Sequence, residues 1–537
     1  MTHPDALGRL TPSLPEELLA SALDLVAPIW DTLDSESAED LAEIEPAVRF
    51  DPVAAAGRAV SVRALPAPPP MAPPEPPEIV EELIWTSLAD LAALVRAGTI
   101  STTELVEAFA TRIAAFEPRL NAFITPTLDD ARSAAQSATS GALAGVPIGL
   151  KDLIDTAGIR TTCGSRIFGE RVPERDAICW IRLKSAGAVL LGKLNTHEFA
   201  AGATNENPAF GDAHNPWNTA RVTGGSSGGS GAAVAAALVS AALGTDTGGS
   251  IRIPAACCGV VGLKPTYGTV STAGVQPLAW SLDHVGPLAR SVHDAALLVD
   301  VLTDRTGSQT CDAAARAGAA HGMASMRIGV PYGWIRDDIQ PAVRDAFENA
   351  LSQMRQLGAE TVEVAMPDAR ELSLVNRAIA YAEASTWHEH LLRERAGEYG
   401  ANVRPRQEAG RFILASQYLK AQRLRTRFCR MVARMWQHVD LIATPTLPIT
   451  APPIGTRRIT FPGGRTEGTQ AALIRFVAPI NLLGIPALTV PCGFDPEGLP
   501  VGLQFIAPAG AEALLCYVGA AYEAATPWHT MRPPLGG

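Results

Sequence analysis

The sequence predicts an α/β fold: a large mixed β-sheet covered by helices on both faces, with a small helical N-terminal extension. Three observations carry that expectation. Short, uncharged and largely apolar runs recur at 146–150, 188–191, 260–263 and 441–443, lengths that suit buried strands. Stretches of helical apolar spacing alternate with them, and such alternation builds a sheet lying between helices. Residues 66–77 read PAPPPMAPPEPP, which forms an extended polyproline spacer between an acidic N-terminal stretch and the rest of the chain. The chain is also too long, at 537 residues, for one simple core. The expected division is an N-terminal extension over 1–65, a Pro-rich linker over 66–78 and one large domain over 79–537.

Taken in order, Ser13 and Glu16 offer a capping box for a first helix bearing Leu18, Leu19, Leu23 and Val26, which Pro28 is expected to end or kink. Residues 85–120 carry two amphipathic helices. Ser101 and Glu104 cap the second, whose face presents Leu105, Ala108, Phe109 and Ile113. Residues 232–243, rich in alanine, suit a tightly buried helix. Residues 327–330, 340–357 and 360–364 read as strand, helix and strand, a peripheral unit. Residues 383–434 form a long Arg-rich helical region interrupted near Pro405, and the basic cluster over 393–411 is expected to be a solvated face.

Composition excludes several functions. A formal charge of −11 opposes nonspecific nucleic-acid binding, which requires clustered Lys and Arg. No uninterrupted apolar run reaches the length of a membrane span, and the N-terminus lacks a signal-peptide pattern, so a cytoplasmic location is expected. Eight scattered cysteines, without a C-x-x-C pair, read as reduced thiols. Ten histidines show no metal-ligand spacing, so neither metal nor cofactor is expected.

The chemistry concentrates in residues 224–252, GGSSGGSGAAVAAALVSAALGTDTGGSIR. Glycine lets backbone N–H groups approach a ligand closely, and successive N–H groups in such turns make a concavity for anionic oxygen. A phosphate loop would need a Lys after the glycines, and none follows. The G-x-S-x-G elbow of α/β-hydrolases is met twice, at Gly224–Ser226–Gly228 and Gly225–Ser227–Gly229, which keeps an esterase of that kind as a distant alternative. Only five of the 44 basic residues are lysines: Lys151, Lys184, Lys193, Lys264 and Lys420. Arginine cannot give up its proton at usable pH, whereas desolvated lysine can, and Lys151 follows the apolar 145–150 run.

Those residues resemble the core of the amidase signature family almost letter for letter. The likeness extends to Gly145–Ser165, Thr204–Asn215, Gly259–Thr269, Ser281–Ala296, Asp440–Pro448 and Asn481–Phe505, together roughly residues 85–535. It implies Ser250 as nucleophile, Ser226 as a bridging serine after a cis peptide from Gly225, and Lys151 as terminal base. The backbone N–H groups of Thr247, Gly248 and Gly249, with that of Ser250, are placed to converge on an oxyanion. Alignment sets Ala200 and Ala201 near the substrate carbonyl, with Ser227 as a secondary contact. Arg252 is expected to order the loop by pairing with Asp246, His284 to be structural and Cys163 to be an apolar packer. The implied activity is hydrolysis of a small-molecule amide, carbamate or ester; the same signature also resembles the glutamine-hydrolysing component of tRNA-dependent amidotransferases. A homodimer is compatible with the first reading. The second needs partner proteins, and residues 1–60 faintly resemble the small companion chain of such assemblies.

Overall fold

The computed structural model describes residues 14–36, 41, 44, 46–47, 50–56, 64–69, 74–77, 80–306, 310–335 and 338–535. The capping residue Ser13 falls outside them. The first helix, α1 (Glu16–Asp34), starts after Pro15 without a side-chain cap, and it continues through Pro28 instead of ending there. Packing explains the continuation. Ala22, Val26, Ile29 and Leu33 are buried along one face, and that burial outweighs the ladder hydrogen bond that proline cannot donate. The helices α2 (Leu88–Arg96) and α3 (Thr102–Leu120) follow, and the Ser101–Glu104 capping box of α3 is reciprocal as expected.

Eleven strands form one sheet. They are β1 (Phe123–Pro126), β2 (Pro147–Lys151), β3 (Val189–Leu194), β4 (Ala241–Asp246), β5 (Val261–Lys264), β6 (His284–Ala289), β7 (Arg327–Val330), β8 (Glu360–Glu363), β9 (Leu441–Pro445), β10 (Ala487–Phe494) and β11 (Pro500–Ile506). Their order is β1-β3-β2-β4-β6-β5-β10-β11-β9-β7-β8. Pairing is parallel for β2 with β3 and β4, and for β7 with β8 and β9, and antiparallel elsewhere, so the sheet is mixed. Every residue of β2, β3, β4 and β6 is buried. Successive side chains point to opposite faces, so both faces of the central sheet are covered.

The alanine-rich segment departs from expectation. The buried helix α4 is Gly228–Ala235, and β4 begins at Ala241. Ala237 takes a left-handed conformation (φ 54°) that ends the helix, and Ala241–Leu243 pairs with Ile148–Leu150. A pattern of small apolar residues fits a buried helix and a buried strand equally well, so periodicity alone cannot divide it. The register is the useful consequence: it sets the end of β4 beside the end of β2, where Lys151 lies.

Three further helices enclose the site. They are α5 (Arg252–Cys258), α6 (Ala369–Glu394) and α7 (Arg404–Ala409, with Pro405 in its first turn). The helix α8 (Ala415–Met435) then runs back, and α1 packs on α6, α7 and α8. No helix among the described residues is long and apolar enough to cross a membrane.

Candidate active site

Three of the five lysines are fully buried: Lys151, Lys193 and Lys264. Two of them tie down backbone. Lys264 Nζ donates to Ile485 O and Pro265 O, and Lys193 Nζ to Ile154 O and Thr161 Oγ1. Lys151 differs, because its Nζ lies 2.7 Å from both Ser226 Oγ and Thr245 Oγ1. Burial lowers its pKa from the usual lysine value to about 7, although the charges of Asp246 and Asp283 pull the other way. An amine held near neutrality can accept a proton from one hydroxyl while donating to the other.

The Gly225–Ser226 peptide is cis, and Ser226 O accepts from His197 N at 3.1 Å. The next peptide links the two serine loops directly, with Ser227 N donating to Ser250 O at 3.3 Å. Ser227 itself turns away from the cavity. Its hydroxyl donates to Thr245 O at 3.2 Å and accepts from Thr245 N at 3.3 Å, pinning the start of α4 to β4. Ser227, expected as a secondary substrate contact, thus has its hydroxyl committed to Thr245.

Around Ser250 the loop is held from below by Asp246. Its carboxylate accepts from Gly249 N at 2.7 Å and from Ile251 N at 3.1 Å. Gly249 N–H, expected among the oxyanion donors, therefore serves the loop. Arg252 meets Asp246 as the sequence suggests and also donates to Gln504 Oε1 and Asn481 Oδ1. Burial alone would raise the Asp246 carboxyl; Arg252 outweighs it and holds the group well below the usual range. Thr247 Oγ1 donates to Asp283 Oδ1 at 2.5 Å, which fastens the other end of the loop. His284 lies against Asp246 O and Leu282 O, and Cys163 is buried.

A cavity opens onto Ser250, Thr247, Gly248, Ala200 and Ala201. Its far wall comes from α6 and α7, through Asn376, Arg377, Tyr381 and Arg406. Sequence reasoning misses these wall residues, because nothing in a helical, Arg-rich stretch marks which side chain faces a loop more than a hundred positions away. Thr245 is legible in principle, since it sits inside GTDTGGS. Among the described residues, no group of three or more His, Cys, Asp or Glu side chains is arranged to hold a metal ion.

A large mixed sheet carrying a glycine–serine loop over a buried, near-neutral lysine defines an α/β enzyme of the amidohydrolase class. The chain belongs to the Amidase family, the amidase signature enzymes, whose model matches residues 104–516. It is 41% identical over 489 residues to a glutamyl-tRNA(Gln) amidotransferase subunit of Roseiflexus sp. (strain RS-1), a match covering 84% of this chain and 98% of that one. It is 40% identical over 471 residues to an amidase of Pseudomonas putida, covering 85% of this chain and 100% of the other. Among solved structures, 6-aminohexanoate cyclic dimer hydrolase superposes with a TM-score of 0.75 at 32% identity, covering 84% of this chain and 99% of that one.

Proposed function

We propose that the chain hydrolyses a carboxamide C–N bond through an acyl-enzyme on Ser250. The observation that carries this reading is Lys151 Nζ, fully buried and 2.7 Å from the Ser226 hydroxyl. Ser250 Oγ adds to the carbonyl carbon while its proton passes to Ser226, whose own proton passes to neutral Lys151. The carbonyl π electrons move to oxygen, where the N–H groups of Thr247, Gly248 and Ser250 stabilise the charge. Collapse breaks the C–N bond, and Lys151 returns its proton through Ser226 to the departing amine. Water then adds to the ester by the same relay and releases the acid with Ser250 restored. Carbamates and esters pass through the same tetrahedral species, so the relay does not distinguish them.

A second reading, glutamine hydrolysis within a tRNA-dependent amidotransferase, is favoured by the similarity to the Roseiflexus protein. The cavity favours the first. Glutamine carries an α-ammonium that needs an anionic partner, and no described lining residue is acidic. The test is covalent labelling with a fluorophosphonate together with ammonia release from an amide panel that includes glutamine. Labelling of Ser250 and loss of both labelling and turnover in Ser250→Ala are expected. A label on Ser227 with activity retained in Ser250→Ala would replace the relay with the α/β-hydrolase alternative.

A further inference from the structure

Phe50 lies on the N-terminal extension, yet two of the side chains packed against its ring hold a loop beside the Ser250 cavity. The Arg425 guanidinium of α8 sits 3.2 Å from the ring centroid, and the Tyr267 ring lies 5.5 Å away, tilted by 60°. Gly484 makes room for the ring, since a side chain at that position would collide with it. Arg425 Nη2 donates to Ser281 O at 2.9 Å, and Tyr267 Oη donates to Trp280 O at 2.9 Å. Two consecutive carbonyls are therefore held by two side chains that meet on one aromatic ring. Asp283 closes the same loop. Its carboxylate accepts from Leu278 N at 3.0 Å and Ala279 N at 3.1 Å, and from the Thr247 hydroxyl at 2.5 Å. Thr247 and Leu278 both line the cavity.

Arg425 is fully buried, so its cation has given up water. An aromatic face attracts such a guanidinium, and the attraction strengthens with desolvation. Phe50 supplies that face, while Leu482 O accepts from Arg425 Nε at 2.6 Å. Without the ring, water would stand beside the cation, and a long arginine side chain turns towards water when it can. Such a turn takes Nη2 away from Ser281 O. Tyr267 loses its neighbour in the same change, and its ring also leans on His284 at 5.6 Å, whose Nδ1 faces Asp246 O. Both routes end on the loop that presents Ser250, one at Thr247 through Asp283 and the other at Asp246. Glu383 on α6 still accepts from Ser281 N at 3.0 Å, so the 278–283 loop would stay folded with its carbonyls free to shift.

We propose that Phe50 is a positioning residue for the reaction, holding Arg425 and Tyr267 on the 280–281 carbonyls and so fixing Thr247 where the oxyanion forms. The proposal rests on the hydrolase reading above, and it gives the N-terminal extension a part in turnover as well as in stability. Coupling through packed side chains is an energetic statement, which a double-mutant cycle measures.

The reactivity of Ser250 in the full-length chain is read as the second-order rate of fluorophosphonate labelling, at a temperature where circular dichroism shows every variant folded. Lost stability alone lowers the fraction labelled, whereas a displaced oxyanion site lowers the rate constant. Phe50→Leu keeps apolar bulk without the aromatic face. It should slow labelling roughly tenfold to a hundredfold, the loss that follows when a reacting group is misplaced by about 1 Å. Phe50→Tyr keeps the face and should recover most of that rate. On an amide that the parent turns over, the loss should fall on kcat with KM little changed. Thr247→Val breaks the hydrogen bond to Asp283 but keeps the backbone N–H. It should slow labelling by itself, and adding Phe50→Leu should then slow it by less than about threefold more. Full additivity in this cycle overturns the proposal, as does a Phe50→Leu rate within about twofold of the parent. Should Phe50→Leu not fold, Tyr267→Phe removes only the hydrogen bond to Trp280 O, and a rate there equal to the parent's overturns the proposal. Absence of labelling in the parent would sink the hydrolase reading and the proposal with it. Labelling of Ser250 that none of these variants slows would sink the proposal alone.

Discussion

Arg252 grips Asp246 with two nitrogens, at 3.0 and 3.1 Å, and Asp246 in turn grips the backbone on either side of Ser250, at Gly249 N and Ile251 N. The ion pair is fully buried, so the conformation of the Ser250 loop depends on it. Arg252→Met leaves the carboxylate buried and unpaired, a change that typically costs about 3–5 kcal/mol. Denaturant unfolding should show that loss, and turnover should fall with it. Asp246→Asn added to Arg252→Met should recover part of the stability but not the activity. A single variant within about 1 kcal/mol of the parent would show that the loop is held by other means.

Lys151 ties activity to pH. With its pKa near 7, kcat/KM should rise through neutrality as the amine loses its proton and level off above about pH 8. Lys151→Arg cannot give up a proton and should lose at least the ~10²–10⁴-fold typical of general acid–base catalysis. A pH-independent rate, or near-normal kcat in the arginine variant at pH 7, would remove Lys151 from the relay.

The same shift affects stability. An amine whose folded pKa lies below its unfolded value binds fewer protons when folded. Stability therefore increases with pH between about 7 and about 10.4, and the penalty is full below that window. Lys151→Met removes the penalty and loses hydrogen bonds to Ser226 and Thr245, each worth about 1 kcal/mol. The variant should be inactive yet more stable by ~2 kcal/mol at pH 7, with the gain shrinking towards pH 10. An inactive variant that is also less stable at pH 7 would mean that the buried amine is no burden on the fold.

Gly248 and Gly249 should respond oppositely to the same substitution. Gly249 has φ 123°, and a Cβ there would lie 2.2 Å from Val477 Cγ2. Gly249→Ala should cost about 3 kcal/mol or more, from backbone strain and overpacking together. At Gly248 the nearest atom to a new Cβ is Asn376 Oδ1 at 3.7 Å, on the cavity side. Gly248→Ala should unfold within about 0.5 kcal/mol of the parent, while kcat/KM falls roughly tenfold to a hundredfold through misplaced substrate. Unchanged activity in Gly248→Ala would argue against its N–H and surface facing the reacting carbonyl.

What can be read from the sequence divides along physical lines. The strands of 146–150, 260–263 and 441–443 are legible because buried strands are short apolar runs, and the Ser101–Glu104 cap because its spacing reports a local hydrogen bond. Lys151 is legible because it is a lysine in a chain that otherwise favours arginine. The boundary between α4 and β4 is not, since alanine satisfies both periods. Gly249 and Ser227 read as facing the ligand because a glycine–serine motif reports where N–H and hydroxyl groups gather, not which way each one turns. Arg377 and Arg406 are brought to the cavity wall only by tertiary packing, which no local pattern encodes.

The N-terminal extension supplies the last prediction. The α1 face of Ala22, Val26, Ile29 and Leu33 is buried, and Trp30 Nε1 donates to Phe412 O at 3.2 Å. Beyond α1 the chain crosses α8. Arg427 pairs with Glu36, Arg423 Nε donates to Ile44 O at 2.6 Å, and the Arg425 guanidinium stacks over the Phe50 ring. These contacts argue for a belt packed on α6, α7 and α8. Each large apolar side chain it buries contributes ~1.5–3 kcal/mol before the entropy of ordering the segment is subtracted. Deleting residues 1–78 uncovers that surface and strips Arg425, whose pKa burial already lowers to about 10, of its aromatic cover. The truncated chain should melt about 5 °C or more below the parent and bind a hydrophobic dye. Its residual activity should keep the pH profile of Lys151, because the relay lies on other elements. A peptide of residues 14–65 added in trans should restore Tm only towards millimolar concentration, the range in which a flexible tether holds its cargo. A truncated protein with unchanged Tm, solubility and kcat would reduce the extension to a tail.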